Sequence, residues 1–171
     1  IVVGLLVVPI QMTLIPLLRL FNEGATLGPF IVFPDLDLNG TFLGIWLAHA
    51  GFGLPLAVYL LRSYIGSLPS SIIESAKIDG ADHFTIFWRL VVPLSVPALA
   101  AFAIFQFLWV WNDLLVAYVF LGGTTQTRVL TIALAGLIGR AGETWHLLTA
   151  AAFISMFLPL LVFFSLQKYF V

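Results

Sequence analysis

The chain has 171 residues, of which 61% are hydrophobic and only 9% charged, with a net charge of −1 and no cysteine; its mean hydropathy is +1.12. A soluble domain carries roughly 25% charged residues, so this chain has too little polar surface to face water and reads as an integral membrane protein. Nothing forms a basic stripe for nucleic acid, and the lack of cysteine excludes disulfides, thiolate metal sites and cysteine nucleophiles.

Four blocks are long enough to span a bilayer, about Ile1–Phe21, Thr41–Leu61, Pro93–Leu121 and His146–Leu166, against the roughly 20 apolar residues a spanning helix needs. They are continuously apolar and lack the alternation of barrel strands, so they read as helices. The expected fold is all-α, a polytopic membrane helix bundle with about four transmembrane helices in a single domain over residues 1–171. Ile1 opens inside a hydrophobic block with no Met and no basic leader, so the chain is expected to be part of a longer protein that continues before Ile1.

In the first block Pro9 and Pro16 should kink the helix, and Gln11 can satisfy a carbonyl freed by Pro9. Residues 22–40 form a loop with Glu23, Asp35 and Asp37 and no Lys or Arg. His49, Gly51, Gly53 and Pro55 make a cluster of breakers in the second block. A polar segment follows over residues 62–92. The third block is the longest, so it should tilt or extend past the membrane. Residues 122–145 connect to the fourth block, and Val129–Gly139 within them is apolar but too short to span, so it reads as a re-entrant or interfacial helix. The fourth block runs out at Lys168. Counting positive residues places Arg62, Lys77, Arg89 and Lys168 on one side and Arg19, Arg128 and Arg140 on the other. The small excess puts the central polar segment in the cytoplasm.

That central segment is the most informative part of the chain. Ser71-Ile-Ile-Glu74 fits a capping box, in which a hydroxyl takes a free N–H and a carboxylate reaches back. A short helix should run to about Ile78. Gly80 can adopt positive φ and end it. Asp82 can cap a second short helix that stops before Pro93. In this second helix Phe84, Phe87, Trp88 and Val91 recur at helical spacing as one apolar stripe. The pair can lie on the headgroups with its aromatics in the interface, or protrude into a groove on a soluble partner. Periodicity alone favours the headgroup arrangement.

Glu74-Ser-Ala-Lys-Ile-Asp79-Gly80-Ala81, then Phe87, then Pro93-Leu94-Ser95-Val-Pro97 resembles the EAA loop of binding-protein-dependent ABC transporter permeases. Ser75 departs from the usual Ala but is equally small. Trp111-Asn112-Asp113 and Thr131-Ile-Ala-Leu-Ala-Gly136 are similar to the carbohydrate-uptake branch, near the second permease subunit of maltose-type and α-glucoside-type importers. The resemblance covers essentially the whole chain and favours the protruding arrangement.

The resemblance implies a permease subunit of an ATP-driven importer for a sugar, an oligosaccharide or α-glucoside, in the inner membrane of a bacterial or archaeal cell. Glu74, Ser75, Ala76, Asp79, Gly80, Ala81, Phe84 and Phe87 would dock the coupling loop, residues 62–92, into a cleft on a dimer of ATPase subunits. Trp88 would add apolar contact or hold the loop to the membrane helices. A second permease and an extracytoplasmic solute-binding protein would complete the machine. In the 122–145 connection, on the extracytoplasmic side, Thr124, Thr125, Gln126 and Arg128 would contact the binding protein; a merely solvated loop is the plainer alternative. The chain is expected to be non-catalytic and to bind no cofactor, with ATP and Mg on the partner ATPase, because it has no G-x-x-x-x-G-K-[ST] loop.

Polar residues inside apolar blocks default to a functional hypothesis. Gln106, His49 and Asn112 are the candidates to line the translocation path. Against this, His49 can simply bond a neighbouring helix, and Asn112 with Asp113 can cap or brace the third helix near the outer interface. The small residues Ala98, Ala100, Ala101 and Ala103, with Ala150–Ala152 and Ser155, let helices approach closely. The alternatives are a permease of the same superfamily for a non-sugar solute, and a secondary transporter. The latter needs midplane carboxylates, and the span interiors show no clear relay. A membrane enzyme is disfavoured by the absence of a metal-ligand cluster such as H-E-x-x-H and of G-x-S-x-G.

Overall fold

The computed structural model describes residues 2–138 and 145–169. It is an all-helical bundle with one small hairpin. Helices α1 (Val2–Leu5) and α2 (Ile10–Glu23) come from the first apolar block. They are separate because Pro9, at φ −61° and ψ 130°, takes the N-cap position of α2 in an extended conformation and has no N–H with which to continue the turn. Pro16 is carried inside α2. With 14 residues, α2 is about 21 Å long, too short to cross a bilayer alone.

Strands β1 (Ala25–Leu27) and β2 (Phe30–Phe33) form an antiparallel hairpin in the loop that follows. Gly28 turns it at positive φ. The chain then returns to α2, with the Leu36 N–H on the Phe21 carbonyl and the Asn39 N–H on Asn22 Oδ1.

Helix α3 (Phe42–Gly66) is capped by Thr41, whose hydroxyl accepts the Gly44 N–H at 3.1 Å. The expected breakers do not interrupt it. Gly51, Gly53 and Pro55 all lie within its 25 residues, because packing against neighbours holds the helix through them. At Gly53 another part of the bundle comes close: a Cβ there would lie 2.5 Å from the Gln106 side chain.

Helix α4 (Ser70–Ile78) and α5 (His83–Ile86) follow, then a π-turn over Phe87–Val91, α6 (Val92–Leu94) and α7 (Val96–Trp111). The expectation that the second short helix stops before Pro93 is not met. The wider π-turn carries the chain past the proline, which cannot donate to a carbonyl one turn back. The whole stretch His83–Leu94 is helical and then bends by 65° into Val96–Trp111. Pro93 and Pro97, one turn apart, remove donors on both sides of the bend.

The third apolar block is not one helix. It is interrupted after Trp111 and resumes as α8 (Leu115–Leu121). Helix α9 (Leu130–Ile138) occupies most of the short apolar stretch expected to be re-entrant or interfacial, and its last expected residue, Gly139, lies outside the described residues, as does Arg140. Helix α10 (Trp145–Leu166) closes the chain and ends in a 3₁₀ turn, Gln167–Tyr169.

Among the described residues two helices, Phe42–Gly66 and Trp145–Tyr169, are each long and apolar enough to cross a membrane, and the bent pair around Ser95 adds a third if it counts as one span. The core sits around α8: Phe120, Val116, Ala117 and Leu121 are at most 2% exposed, packed with Leu14 and Phe21 of α2, Leu38 of the loop before α3, Ile45 and Ala48 of α3, and Ile132 of α9. Phe21 meets Phe120 edge to face at 6.0 Å. In lipid, where apolar surface gains little by meeting apolar surface, such close packing holds helices together. Ala98 and Ala100 are buried as small contact residues; Ala103 and Ala150 face outward.

Gly44 shows how tight this is. A Cβ there would lie 2.5 Å from the Leu38 carbonyl oxygen, a backbone atom that cannot swing aside, whereas one on Gly51 would meet nothing within 4 Å. Gly44→Ala should therefore destabilise the protein by about 1–3 kcal/mol, seen as a lower midpoint of thermal unfolding in detergent. Gly51→Ala should leave the midpoint unchanged or slightly raised. Equal midpoints for the two variants would refute this account of the contact.

Candidate functional sites

The polar segment forms a helix–turn–helix at the C-terminal end of α3. Pro69 (φ −60°, ψ 125°) takes the cap position of α4, and no side chain caps the helix. The Ser71–Glu74 capping box is thus not formed: the cap position lies two residues earlier, at Pro69, and Ser71 already lies inside the first turn. The C-terminus is as expected. Gly80 sits at φ +81°, the Gly80 N–H bonds the Lys77 carbonyl and the Ala81 N–H reaches back to the Ala76 carbonyl, each at 3.0 Å. This is a Schellman ending, in which a left-handed residue satisfies the last carbonyls. Asp82 caps α5 by accepting the Thr85 N–H at 3.1 Å. Hydrogen bonding from Thr85, side chain first and then backbone, holds the Asp82 carboxyl below its ordinary pKa.

Glu74, Ser75, Lys77, Asp79 and Gly80 are exposed, and Ala76 and Ala81 are half-buried. Ile78 is 86% exposed and Phe84 70%, with Phe87 and Trp88 also outward. Trp88 meets Phe84 and Phe87 edge to face at 6.2 and 5.2 Å, so the three rings form one exposed cluster. Within this chain the inward contact is made instead by Ile86, which is buried. The aromatic stripe does not hold the loop to the bundle.

A second constellation lies at the break between α7 and α8. Asp113 supplies both its oxygens to the start of α8: Oδ1 accepts from Val116 N at 3.1 Å and Oδ2 from Ala117 N at 2.9 Å. Its carbonyl accepts from the Thr131 hydroxyl of α9 at 2.7 Å. Its Oδ2 also lies 3.3 Å from His49 Nε2 of α3, outside hydrogen-bond geometry. His49 is buried, with Trp109 edge-on at 5.6 Å. Gln106 donates to the His49 carbonyl at 3.3 Å. The candidates His49 and Gln106 therefore come together, as a brace between α3 and α7. Asn112 is exposed and donates to the Leu108 carbonyl at 2.8 Å, closing the end of α7. Asp113, expected only to cap or brace the third helix, does cap α8 and is also the partner of His49, far away in sequence. A cavity of about 450 Å³ opens beside this pair, lined on α3 by Phe42 and Trp46 and on α7 by Phe107 and Trp111. No pattern in the sequence marked these rings as neighbours.

Thr124, Thr125, Gln126 and Arg128 are all exposed in the turn after α8. The Thr124 and Thr127 hydroxyls lie 2.7 Å apart, and Thr127 donates to the Leu121 carbonyl. This turn and the helix–turn–helix lie at opposite ends of α3. The Gly40 N–H bonds the Phe120 carbonyl, which ties the end of α8 to the start of α3, and the helix–turn–helix begins where α3 ends, 25 residues on, or about 37 Å away.

The model of one protein family, described as binding-protein-dependent transport system inner membrane component, matches residues 1–171. The chain is 60% identical to the osmoprotective compounds uptake permease protein of Synechocystis sp., over 99% of this chain and 53% of that protein. It is 58% identical to the alpha-glucoside transport system permease protein of Rhizobium meliloti, over 100% of this chain and 43% of that one. It is 31% identical to the melibiose/raffinose/stachyose import permease protein of Bacillus subtilis, over 99% of this chain and 57% of that one. The chain thus spans about half the length of these relatives.

The geometry at Asp113 makes a specific demand. Asp113→Ala removes a cap that satisfies two N–H groups of α8 and should cost about 1–2 kcal/mol. Asp113→Asn keeps one acceptor oxygen and should cost less. Thermal unfolding in detergent checks the order; an alanine variant as stable as wild type would show that the cap is dispensable.

Proposed function

The chain belongs to the family of binding-protein-dependent transport system inner membrane components, and on that premise we propose that it is a permease subunit of an ATP-driven ABC importer for a sugar, an oligosaccharide or α-glucoside. It forms half of the translocation pathway, with a second permease forming the other half. An extracytoplasmic solute-binding protein delivers substrate, and a dimer of ATPase subunits carries ATP and Mg; this chain is non-catalytic and binds no cofactor of its own. The machine sits in the inner membrane of a bacterial or archaeal cell, with the helix–turn–helix in the cytoplasm.

The observation that carries the reading is the placement of the EAA-type segment. Its motif residues lie on an exposed helix–turn–helix at one end of the bundle, continuous through His83–Leu94 with the base of α7. Glu74, Ser75, Ala76, Asp79, Gly80, Ala81, Phe84 and Phe87 dock into a cleft on the ATPase. An exposed ring cluster beside a charged helix gives apolar contact and orientation together. Closure of the ATPase dimer pushes this element and rocks the helices between inward-facing and outward-facing states, as a rigid-body transition biased from both sides. At the far end Thr124, Thr125, Gln126 and Arg128 meet the binding protein. The whole unit, residues 1–171, acts as one transmembrane domain.

The sugar class rests on the names of the relatives from Rhizobium meliloti and Bacillus subtilis. The relative from Synechocystis favours one second reading within the same superfamily, an osmoprotective solute. The His49–Asp113 pair does not support a secondary transporter. Both carboxylate oxygens of Asp113 are engaged by α8, so the group serves the backbone and is not free to carry a proton relay.

The test is Gly80→Asp in the full-length subunit with its partners. A Cβ there meets nothing within 4 Å among the described residues, so the bundle should tolerate it apart from the left-handed backbone, which costs about 1–2 kcal/mol. Membrane insertion should be unchanged while uptake falls to background and the ATPase no longer co-purifies. Normal uptake by this variant would sink the docking assignment.

A further inference from the structure

The hairpin between α2 and α3 is more apolar than a solvated loop needs to be. Between Glu23 and Asp35 the only side chain with a polar atom is Thr26. Leu27, Phe30, Ile31 and Val32 are each between 67% and 73% exposed. The register pairs Leu27 with Phe30 and Thr26 with Ile31. Partners across a ladder share a face and successive residues alternate, so Leu27 and Phe30 lie on one face of the ribbon and Ile31 on the other. Both faces are apolar and uncovered near the tip; Phe33, at the base, packs on the core.

We infer that this hairpin lies in the headgroup layer of the membrane, its tip against the upper acyl chains, so that its partner is the lipid surface. A ribbon laid flat on a protein needs one apolar face and turns a polar one to water, whereas immersion covers two apolar faces at once. Neighbouring residues set the level. The Asn39 N–H on Asn22 Oδ1 brings the approach to α3 beside the end of α2. About one turn inside these helix ends lie Arg19 on α2 and Trp46 on α3, both exposed. Tryptophan concentrates at the membrane–water boundary, and an arginine there reaches lipid phosphate; Arg19 has no carboxylate within ion-pair distance among the described residues. Glu23, Asp35 and Asp37 bracket the base of the ribbon and are exposed, on its water side. The outer edges of a two-stranded ribbon leave backbone groups unpaired, which hydrocarbon does not tolerate and a hydrated headgroup layer does. Pro29, at the tip, has no N–H to leave unpaired. Strands about 5 Å apart also suit a layer about 5–8 Å deep on each side of the bilayer. The hairpin precedes α3 and the helix–turn–helix follows it, so a cytoplasmic helix–turn–helix puts the hairpin in the outer leaflet. The inference goes beyond the importer reading and does not depend on which solute is carried.

The chain has no cysteine, so single thiols can be placed at will. The full-length subunit, assembled with its partners and with other cysteines replaced, is reconstituted into phosphatidylcholine–phosphatidylglycerol vesicles. Phe30→Cys, Ile31→Cys, Asp35→Cys and Thr125→Cys are each labelled with a nitroxide, and collision with oxygen, which partitions into lipid, is compared with collision with a water-soluble nickel chelate. At Phe30 and at Ile31 the oxygen-to-nickel ratio should be several-fold higher than at Asp35 and at Thr125, and adding the binding protein should leave it unchanged. A ratio at Phe30 or Ile31 equal to that at Thr125 means a hairpin standing in water and overturns the inference. Exclusion of both reagents from either position, with or without the binding protein, means that protein covers that face and overturns it too. Both of these results leave the importer reading intact, since uptake is measured separately on the same vesicles.

Discussion

A helix that stops inside an apolar bundle leaves N–H groups with no water to bond, and the architecture around α8 depends on how that need is met after Trp111. An unsatisfied buried N–H is costly, and at this interruption Asp113 turns both carboxylate oxygens onto the Val116 and Ala117 N–H groups in the first turn of α8. The same side chain then fixes its surroundings. Its carboxylate faces His49 on α3, and its carbonyl holds Thr131 on α9. One residue thereby ties α3, α8 and α9 at the place where α7 ends. With α8 set, Phe120 and Val116 can fill the centre of the core, and the cavity between the aromatic faces of α3 and α7 has a defined floor.

Satisfaction of the backbone also explains the opposite end of the molecule, by a different device. There the helix–turn–helix is exposed, and its carbonyls and N–H groups are met locally by the Schellman ending at Gly80 and the Asp82 cap. Such a unit owes little to the rest of the bundle for its shape. It presents Glu74, Asp79 and the ring cluster of Phe84, Phe87 and Trp88 without needing them in a core. A surface whose geometry is set from within is suited to be gripped by a partner, since little conformational freedom is lost on docking.

Much of this was readable from sequence where the determining interactions are local. The positions of the apolar blocks, the disturbance at Pro9 (expected as a kink, found as a break), the left-handed Gly80 and the Asp82 cap all depend on residues within a few positions of one another. The misreadings share a cause. Ser71 and Glu74 have the right spacing for a capping box, but Pro69 already sets the extended residue that precedes the helix. Gly51, Gly53 and Pro55 look like breakers, but contact with Gln106 and neighbouring helices carries α3 through them. A hydropathy window hides the break at Asp113 because the apolar runs on either side, through Val110 and from Leu114 to Leu121, outweigh two polar residues. The pairing of His49 with Asp113, and the presence of Trp46 and Trp111 on one cavity, are set by tertiary packing that no local pattern encodes.

The joint at Ser95 shows why the two ends need not be rigidly fused to be mechanically connected. Pro93 and Pro97 withhold two N–H donors one turn apart, so the helix can bend by 65° there with few hydrogen bonds to break. The Ser95 N–H bridges the gap by meeting both the Val91 and Val92 carbonyls, at 3.0 and 3.1 Å, while its buried hydroxyl has no partner among the described residues. Residues on either side are helical: the π-turn runs to Val91, and α7 continues from Val96 to Trp111. Displacement of the exposed element would then reach α7 as a change of angle at one point. Because α7 carries Gln106 against α3, and Phe107 and Trp111 against the cavity, that change of angle would act on the cleft walls directly.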